Sequence, residues 1–175
     1  MARILIVYST TDGHTLRICE RLRGIVEAQG HQVTLVPVAD AAGADLESCD
    51  KIVVGASIRY GRHRPEVTAF IERNAQALNR KAGAFFSVNI VARKPEKNQP
   101  HTNPYVRNFL RKIAWRPREA GVFAGKLDYP RYGFVDRTVI RFIMLLTGGP
   151  TDPKAVVEFT DWSQVEAFGG LIARM

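Results

Sequence analysis

Short apolar runs alternate with amphipathic segments along most of the 175-residue chain. The runs cover residues 4–7, 33–38, 51–57, 82–89 and 121–127. Runs that are apolar at successive positions are typical of strands covered on both faces, as in a parallel sheet. The alternation of such strands with helices predicts an α/β fold, namely a doubly wound, five-stranded parallel sheet with helices on both faces.

Several residues mark the expected ends of the helices. Gly30 is a typical stop for a first helix, and Pro65 suits the first turn of a second one. Asn103 and Asp161 are side chains of the kind that cap helix N-termini. We therefore expect helices over residues 15–29, 65–78, 104–115 and 162–174.

A segment of about residues 128–158 is longer than a five-strand alternation requires. We interpret the chain as one domain, residues 1–175, in which this insertion interrupts the fifth strand. Residues 134–146 predict a helix within it, closed by Gly149 and Pro150. A helix of this length is too short to cross a bilayer, which needs about 20 residues.

Three interpretations of the insertion helix remain open. It lies on a membrane surface with apolar side chains in lipid and arginines among the headgroups, or it packs on a second copy of the chain in a homo-oligomer, or it packs on its own sheet. In the first case the membrane-contacting residues would be Phe134, Arg137, Ile140, Arg141, Ile143 and Met144, together with Val135 and Leu145.

Positive charge is concentrated in one part of the chain. The net charge is +8, and residues 90–141 hold twelve lysines and arginines against four acids. A basic surface attracts anionic lipid, nucleic acid or a substrate with several carboxylates. We expect no nucleic-acid partner, because the basic residues belong to no recognisable binding motif and do not alternate with stacking aromatics.

The two cysteines, Cys19 and Cys49, have neither CxxC nor metal-ligand spacing. We therefore expect structural thiols and no metal site. The first strand begins after three residues, which leaves no room there for a secretory signal. These features predict a cytoplasmic protein, which the insertion helix would attach peripherally to the inner face of the cell membrane.

The loop after the first strand, Ser9-Thr10-Thr11-Asp12-Gly13-His14-Thr15, has the composition of a phosphate-binding loop. Its hydroxyls donate hydrogen bonds, and the helix that follows directs free N–H groups and its positive dipole end at an anion. The loop lacks the lysine of a Walker loop and the glycine spacing of a dinucleotide site, so a monophosphate fits best. An ordinary turn of small polar residues is the alternative.

Two further loops are expected at the same edge of the sheet, after the third and fourth strands. Tyr60 and Ile58 are suited to form an aromatic and apolar wall for a planar ligand, and polar neighbours to contact its edge. Tyr60 is otherwise a half-exposed loop aromatic. The candidate binding residues of the two loops are Ser57, Ile58, Arg59, Tyr60, Gly61, Ser87, Val88 and Asn89.

Taken together, these segments resemble one family. The loop of residues 9–15 is similar to the FMN phosphate loop of flavodoxins. Residues 55–61, 87–97 and 129–132, with Thr160-Asp161-Trp162, resemble the bacterial quinone-dependent protoporphyrinogen IX oxidases, long-chain flavodoxin-like enzymes. The similarity covers essentially the whole chain. It implies the strand order 2-1-3-4-5 and FMN as the cofactor, bound by residues 9–15 and by the two loops above.

The resemblance also implies an activity. Protoporphyrinogen IX would lose six hydrogens in three two-electron steps at FMN, as part of haem biosynthesis. The electrons would pass to a membrane quinone, menaquinone or ubiquinone, and the chemistry would belong to the flavin. Arg93, Lys94, Lys97 and Arg131 would pair with the two propionates of the substrate.

No catalytic residue follows from the sequence. Arg59, Tyr60 and His63 are candidates by position, although His63 is otherwise expected to be an exposed loop histidine. Asp12 departs from the Thr-Gly dipeptide that is usual in electron-carrier flavodoxins. Its carboxylate would repel a phosphate, so we expect the carboxylate to point outward and the backbone N–H to make the contact.

Two other classes of flavoprotein are alternatives. A soluble flavodoxin-type electron carrier would normally have an acidic docking surface, which the net charge of +8 disfavours. A membrane-associated flavin quinone reductase would use a nicotinamide donor, and no motif in the loops marks a nicotinamide site.

Overall fold

The computed structural model describes all 175 residues and contains eight strands and six α-helices. The strands are β1 (Arg3–Ser9), β2 (Gln32–Pro37), β3 (Lys51–Arg59), β4 (Arg62–His63), β5 (Ala82–Val88), β6 (Glu119–Phe123), β7 (Lys126–Asp128) and β8 (Val156–Glu158). The helices are α1 (His14–Glu27), α2 (Pro65–Arg73), α3 (Ala75–Arg80), α4 (Pro104–Lys112), α5 (Phe134–Thr147) and α6 (Trp162–Arg174).

The central sheet has the strand order β2-β1-β3-β5-β6, and these five strands are parallel. β4 is a two-residue strand that folds back antiparallel onto the end of β3. Without β4 the order is the expected 2-1-3-4-5, so the predicted fold class is confirmed. The strand order reverses between β1 and β3, and the loops that follow these strands open a crevice at the carboxyl edge of the sheet.

Helices cover both faces of the sheet, as the continuous apolar strands predict. α1 and α6 pack on one face, whereas α2, α3 and α4 pack on the other. Most residues of β1, β3 and β5 are consequently buried. The first core includes Ile18, Leu22, Val26, Phe168 and Ile172, and the second includes Phe70, Ile71, Leu78, Val106 and Trp115.

The side chains predicted to cap helices do so. The Asn103 side-chain oxygen accepts hydrogen bonds from the backbone N–H groups of Tyr105 and Val106 at the start of α4. The Asp161 carboxylate accepts a bond of 3.0 Å from the backbone N–H of Ser163 at the start of α6. Each cap satisfies donors that the first turn of a helix leaves unpaired.

The helix expected over residues 65–78 is divided into α2 and α3 at Asn74. The Asn74 side-chain amide donates a hydrogen bond of 2.8 Å to the carbonyl oxygen of Phe70. The backbone of Asn74, with a ψ of 12°, departs from helical values. An asparagine that bonds to a neighbouring backbone group competes with the helical pattern, which accounts for the break.

The predicted insertion forms a packed unit with its own small core. β7 and β8 pair antiparallel outside the central sheet and join the two ends of the insertion. The core between them and α5 consists of Leu127, Tyr129, Tyr132 and Met144. The fully buried Tyr129 donates a hydrogen bond of 2.6 Å from its hydroxyl to the carbonyl oxygen of Pro150. The small core and this bond hold α5 against the rest of the protein.

The inward face of α5 packs on this small core. Met144 is 1% exposed, and Ile140 packs beside it. The expectation that these two side chains contact lipid is therefore corrected, because Leu127, Tyr129 and Tyr132 offer them an apolar surface inside the protein. For the inward face of α5, the third interpretation therefore holds, because this face packs on the protein's own chain.

The two arginines of α5 also differ in position. Arg137 is half-buried and donates a hydrogen bond of 3.1 Å from Nη2 to the carbonyl oxygen of Tyr132. It therefore does not project outward as the headgroup interpretation requires. Arg141 is exposed, and its Nε donates a bond of 2.8 Å to the carbonyl oxygen of Thr151.

The opposite face of α5 exposes a row of large apolar side chains, which we call the outer stripe. Ile143, which is 40% exposed, borders the stripe. None of the helices combines the length and the apolar character that crossing a membrane requires. The members of the outer stripe, each at least 60% exposed, are Phe134, Val135, Phe142, Leu145 and Leu146.

Lys51 fastens the amino edge of the sheet to the last helix. Its side chain is buried, and Nζ donates hydrogen bonds to the carbonyl oxygens of Ile172, at 3.0 Å, and Ala173, at 2.7 Å. These carbonyls lie in the last turn of α6, where a helix leaves its acceptors unpaired. Burial lowers the pKa of Lys51.

A buried polar cluster lies behind the carboxyl edge of the sheet. His63 Nε2 is 2.9 Å from Ser87 Oγ, and the Asn89 amide donates to the same hydroxyl at 3.1 Å. The Asn103 amide donates to Asn89 Oδ1 at 3.1 Å. His63 is 7% exposed and also packs against Phe109, which corrects the expectation of an exposed loop histidine. Burial lowers the pKa of His63 to about 4.

We predict that acid destabilises the protein through His63. Its pKa is about 4 in the folded protein, against the ordinary 6.5 of a histidine in the unfolded chain, so the unfolded chain binds the proton more readily between these values. The free energy of unfolding should fall by up to about 3 kcal/mol as the pH drops through this window. Urea denaturation at each pH measures this slope.

The matched variants are His63→Gln, which removes the buried titrating group, and His101→Gln at an exposed position. His63→Gln should flatten the dependence on pH even if it lowers stability at every pH, whereas His101→Gln should leave the slope unchanged. Equal slopes for the wild type and His63→Gln would contradict the assignment.

Candidate active site

A cavity of about 460 Å³ lies at the carboxyl edge of the sheet, where the strand order reverses. It is lined by the β1–α1 loop, by the loops that follow β3 and β5, and by the insertion. A volume in this range is typical of small-molecule and cofactor sites. Arg131, expected to bind a propionate, lines the cavity, as do Ile140, Ile143 and Met144, which were expected to contact the membrane. The residues expected to bind the cofactor that line it are Thr10, Thr11, Asp12, Gly13, His14, Thr15, Ser57, Ile58, Arg59, Tyr60, Gly61, Val88 and Asn89.

The β1–α1 loop has the geometry of an anion site. Gly13 has a φ of 84° and precedes α1, whose N-terminus no side chain caps. The N–H groups of the first turn therefore stay available for a ligand. At the start of the loop, Ser9 Oγ is buried and has no hydrogen-bond partner. A buried hydroxyl without a partner calls for an explanation such as a missing ligand, and a phosphate oxygen would supply the partner.

The carboxylate of Asp12 is paired with Arg59. Arg59 Nη2 lies 3.3 Å from both carboxylate oxygens of Asp12 and 3.8 Å from the carboxylate of Asp136 in α5. The guanidinium also lies over the ring of Tyr132, 5.4 Å from its centroid. Arg59 thus joins β3, the phosphate loop and the insertion. Because a guanidinium stays protonated, Arg59 is not a proton acceptor.

His14 is held in one tautomer by the segment before α6. The Thr160 hydroxyl donates its proton to the carbonyl oxygen of Ala124, at 2.7 Å, and lies 2.6 Å from His14 Nε2. Since that proton is already donated, His14 Nε2 must carry the hydrogen of this second bond. Burial lowers the pKa of His14, which favours the neutral ring. The first residue of α1 is thereby fixed to the chain that follows the insertion.

Two tyrosines stand at one side of the cavity. Tyr60 is 56% exposed and has a φ of 51°, which is uncommon for a residue with a side chain. It begins the turn through Gly61 that leads into β4. Tyr105, at the start of α4, lies close to Gly61: a Cβ atom at Gly61 would be 3.9 Å from the Tyr105 ring. The sequence did not indicate Tyr105, because no motif marks it and it lies well beyond the β5 loop.

Ser57 reaches the cavity, whereas Ser87 does not. Ser57 Oγ is buried without a hydrogen-bond partner, and the residue lines the cavity. Ser87 is fully buried, and its hydroxyl is bonded to His63 and to the Asn89 amide. The expectation that Ser87 contacts the cofactor edge is therefore corrected, and His63 is likewise excluded from direct contact. Ser87 and His63 belong instead to the buried polar cluster, which supports the loops after β3 and β5 from the side of the core.

Among the four predicted propionate ligands, only Arg131 lines the cavity. Arg93 donates hydrogen bonds of 3.0 Å to the carbonyl oxygen and hydroxyl of Thr147 and a third to the carbonyl oxygen of Ile90. The guanidinium is drawn there because the last turn of α5 presents unpaired carbonyl groups. Arg93 is therefore corrected from a substrate ligand to a cap of α5. Lys94 and Lys97 are half-buried and outside the cavity lining.

Most of the charge around the cavity is paired. Arg17 lies 2.6 Å from the carboxylate of Glu158, and Lys126 lies 3.2 Å from that of Asp128. Burial raises the pKa of Glu158, hydrogen bonds from Trp162 and Arg17 lower it, and the net effect is a decrease. The first pair joins α1 to β8, and the second joins the first and last residues of β7.

The insertion supplies a wall of the cavity that the sequence did not indicate. Leu127, Tyr132, Ile140, Ile143 and Met144 face the same space as the phosphate loop. In the sequence, residues 129–132 contributed to the family resemblance, but the resemblance assigned no role to Tyr132. Burial raises the pKa of Tyr132, so its hydroxyl stays protonated at neutral pH.

Comparisons with known proteins identify close relatives over the full length. Residues 5–154 match the flavodoxin domain family. The chain is 43% identical over 173 residues to protoporphyrinogen IX dehydrogenase [quinone] of Escherichia coli (strain K12), covering 99% of this chain and 96% of that protein. It is 40% identical over 174 residues to the protein of the same name from Leishmania major, covering 99% of this chain and 75% of that protein.

A solved structure supports the same fold. Oxidised flavodoxin 1 from Bacillus cereus superposes with a TM-score of 0.58 at 14% identity, covering 99% of this chain and 98% of that one. The matches indicate FMN as the cofactor, and the unpartnered Ser9 hydroxyl and uncapped α1 fit its single phosphate. The chain is therefore an oxidoreductase that belongs to the flavodoxin family, within the group of quinone-dependent protoporphyrinogen IX dehydrogenases.

Proposed function

We propose that this protein oxidises protoporphyrinogen IX to protoporphyrin IX, using FMN and a quinone dissolved in a membrane, in the biosynthesis of haem. The reaction removes six hydrogens in three two-electron steps, so three quinones are reduced for each porphyrin formed. The names of the full-length relatives support the substrate and the type of acceptor. The alternatives are a quinone reductase with a nicotinamide donor and a flavodoxin-type electron carrier.

The observation that carries this proposal is the double role of α5. Three of its residues, Ile140, Ile143 and Met144, line the cavity, while its outer stripe is exposed. An apolar acceptor that resides in lipid needs a site which touches both the membrane and the flavin. A helix that lines the cavity with one face and presents apolar side chains with the other meets this need.

The residues of the cavity have distinct tasks in the proposed reaction. FMN, held by residues 9–15, would supply the electron acceptor: in each step it would take up two electrons and one proton as a hydride, and the second hydrogen of the substrate would leave as a proton to solvent. The phosphate loop anchors the cofactor at one end, and Ile58, Tyr60 and Tyr105 provide an apolar and aromatic wall for planar rings. Tyr132 and Met144 close the side of the insertion against water. Orientation and exclusion of water are the contributions that a protein makes to such a reaction.

The outer stripe and the positive charge of the segment 90–141 support attachment to a membrane. Phe142 and Leu146 are 60% and 69% exposed, and the segment 90–141 carries twelve basic residues against four acids. A helix that exposes apolar side chains beside cations binds in the interfacial plane of an anionic membrane. We therefore propose that the protein lies peripherally on the inner face of the cell membrane, with Phe134, Arg141 and Ile143 also near the lipid.

The proposed activity predicts a stoichiometry. Under anaerobic conditions, the FMN-loaded protein should convert protoporphyrinogen IX to fluorescent protoporphyrin IX only when a quinone is added, and about three quinols should appear per porphyrin. NADH in place of the porphyrinogen should reduce the quinone far more slowly. Faster quinone reduction with NADH than with protoporphyrinogen would favour the quinone reductase, and no turnover with either donor would favour the electron carrier.

We predict a substrate role for the two lysines that follow the β5 loop. Lys94→Gln combined with Lys97→Gln should raise the KM for protoporphyrinogen about tenfold, because each lysine offers a propionate a charge-assisted contact. The affinity for FMN should not change, since neither side chain lines the cavity. Lys112→Gln, at an exposed position in α4, is the matched control. An unchanged KM in the double variant would remove these lysines from the substrate site.

The outer stripe should determine binding to vesicles. Phe142→Asp combined with Leu146→Asp should reduce cosedimentation with anionic vesicles by about tenfold or more, since burial of each large apolar side chain contributes roughly 1.5–3 kcal/mol. Leu171→Asp, at a partly exposed apolar position on α6, is the control. Equal binding of the double variant and the control would exclude a lipid contact. A wild-type dimer that the double variant dissociates would show instead that a second copy covers the stripe.

A further inference from the structure

We propose that Arg131, which the insertion contributes, binds the phosphate group of FMN and is the cation that the phosphate loop itself lacks. Nothing in the comparisons assigns this residue. The proposal reassigns Arg131 from the propionates of the substrate to the cofactor. It concerns FMN alone, so it stands or falls independently of the porphyrinogen activity.

The phosphate loop carries no positive charge of its own. Residues 9–15 offer hydroxyls, backbone N–H groups and the neutral ring of His14, and their one charged side chain is the acid Asp12. A phosphate monoester carries a charge of about −1.5 to −2 at neutral pH. The nearby cations therefore decide whether the local charge favours or opposes its binding.

Two of the arginines near the loop are already occupied. Arg17 pairs with Glu158 at 2.6 Å. Arg59 is shared between two acids, Asp12 at 3.3 Å and Asp136 at 3.8 Å. One guanidinium shared by two carboxylates leaves one negative charge in excess. Without a further cation, this excess negative charge would oppose the attraction that the N-terminus of α1 exerts on a phosphate.

Arg131 is placed to supply that cation. Its Nη1 lies 3.5 Å from the backbone carbonyl oxygen of Asp12, within the phosphate loop. It lines the same cavity as residues 10–15, and unlike Arg17, Arg59 and Lys126 it is not paired with a carboxylate. A contact of 3.5 Å with a neutral carbonyl is weak, so the guanidinium is free to turn to a stronger acceptor.

The turn that carries Arg131 is firmly held. Residues 129–131 form a short 3₁₀ turn that contains Pro130. Tyr129, the first residue of the turn, is fully buried and bonded to Pro150, and Tyr132, directly after the turn, is buried beneath the guanidinium of Arg59. A side chain that projects from a fixed backbone loses less freedom when it binds a ligand than one from a loose loop. When Arg131 binds the phosphate, it therefore gives up the freedom of its own side chain but not that of its backbone.

The remaining contacts of a phosphate are present on the opposite side. Ser9 Oγ is buried without a partner, and the first turn of α1 has uncapped N–H groups. These neutral donors belong to the sheet and to α1, whereas Arg131 belongs to the insertion. Retention of the cofactor would then depend on the insertion remaining packed in place, and the two would stabilise each other.

The test compares FMN with riboflavin, which has the same rings and no phosphate. In titrations of the apoprotein that follow flavin fluorescence, Arg131→Gln should weaken FMN binding by about tenfold or more through loss of a charge-assisted hydrogen bond. Riboflavin binding should not change. Arg131→Lys, which keeps the charge but not the planar fork, should lie between the variant and the wild type. Arg111→Gln, at an exposed position in α4, is the control for overall charge.

Each other outcome overturns the proposal. Equal weakening of FMN and riboflavin would show that Arg131 only maintains the shape of the cavity. Unchanged FMN binding with a higher KM for protoporphyrinogen would return Arg131 to the substrate. A loss of FMN affinity in Arg111→Gln as large as in Arg131→Gln would reduce the effect to long-range charge. Thermal melting of each apoprotein shows whether the variants are folded.

Discussion

The parallel pairing of β1 with β3 sets the position of every group around the cavity. Ser9 lies opposite Ala56 in this pairing, so the loops that leave the two strands begin side by side at the carboxyl edge. After β1 the chain crosses to β2 on one side, and after β3 it crosses to β5 on the other side. The space between the two loops is therefore left open. The two cores hold the register, because a shift of one residue would exchange the side chains that face them.

The insertion depends on that open space, and two kinds of interaction hold it there. Its acids meet arginines outside the insertion, Asp136 at Arg59 and Glu158 at Arg17. Exposed ion pairs contribute about 0–1 kcal/mol each, so they orient the insertion more than they stabilise it. The small core around Tyr129 and Met144 contributes more, since full burial of one large apolar side chain is worth roughly 1.5–3 kcal/mol.

The sequence predicted those features that depend on local chemistry. Apolar runs located the five parallel strands, and Asn103 and Asp161 located two helix starts, because each signal involves only a few consecutive residues. The two faces of α5 could not be distinguished in this way, because apolar residues surround much of the helix. Which face is covered depends on Leu127, Tyr129 and Tyr132, which lie outside the helix. His63 illustrates the same limit. Its burial is set by Phe109 and Ser87, which are distant in the chain, and no neighbour in sequence announces it.

The amino and carboxyl edges of the sheet have opposite characters. At the amino edge, the Lys51 ammonium group bonds the last turn of α6 to the start of β3, at the opposite end of the strand from the cavity. At the carboxyl edge, the connection from β6 to α6 is free to grow, because both of its ends are already fixed. The carboxyl edge can therefore carry a helical insertion beside the cavity while the sheet and its two cores stay as they are.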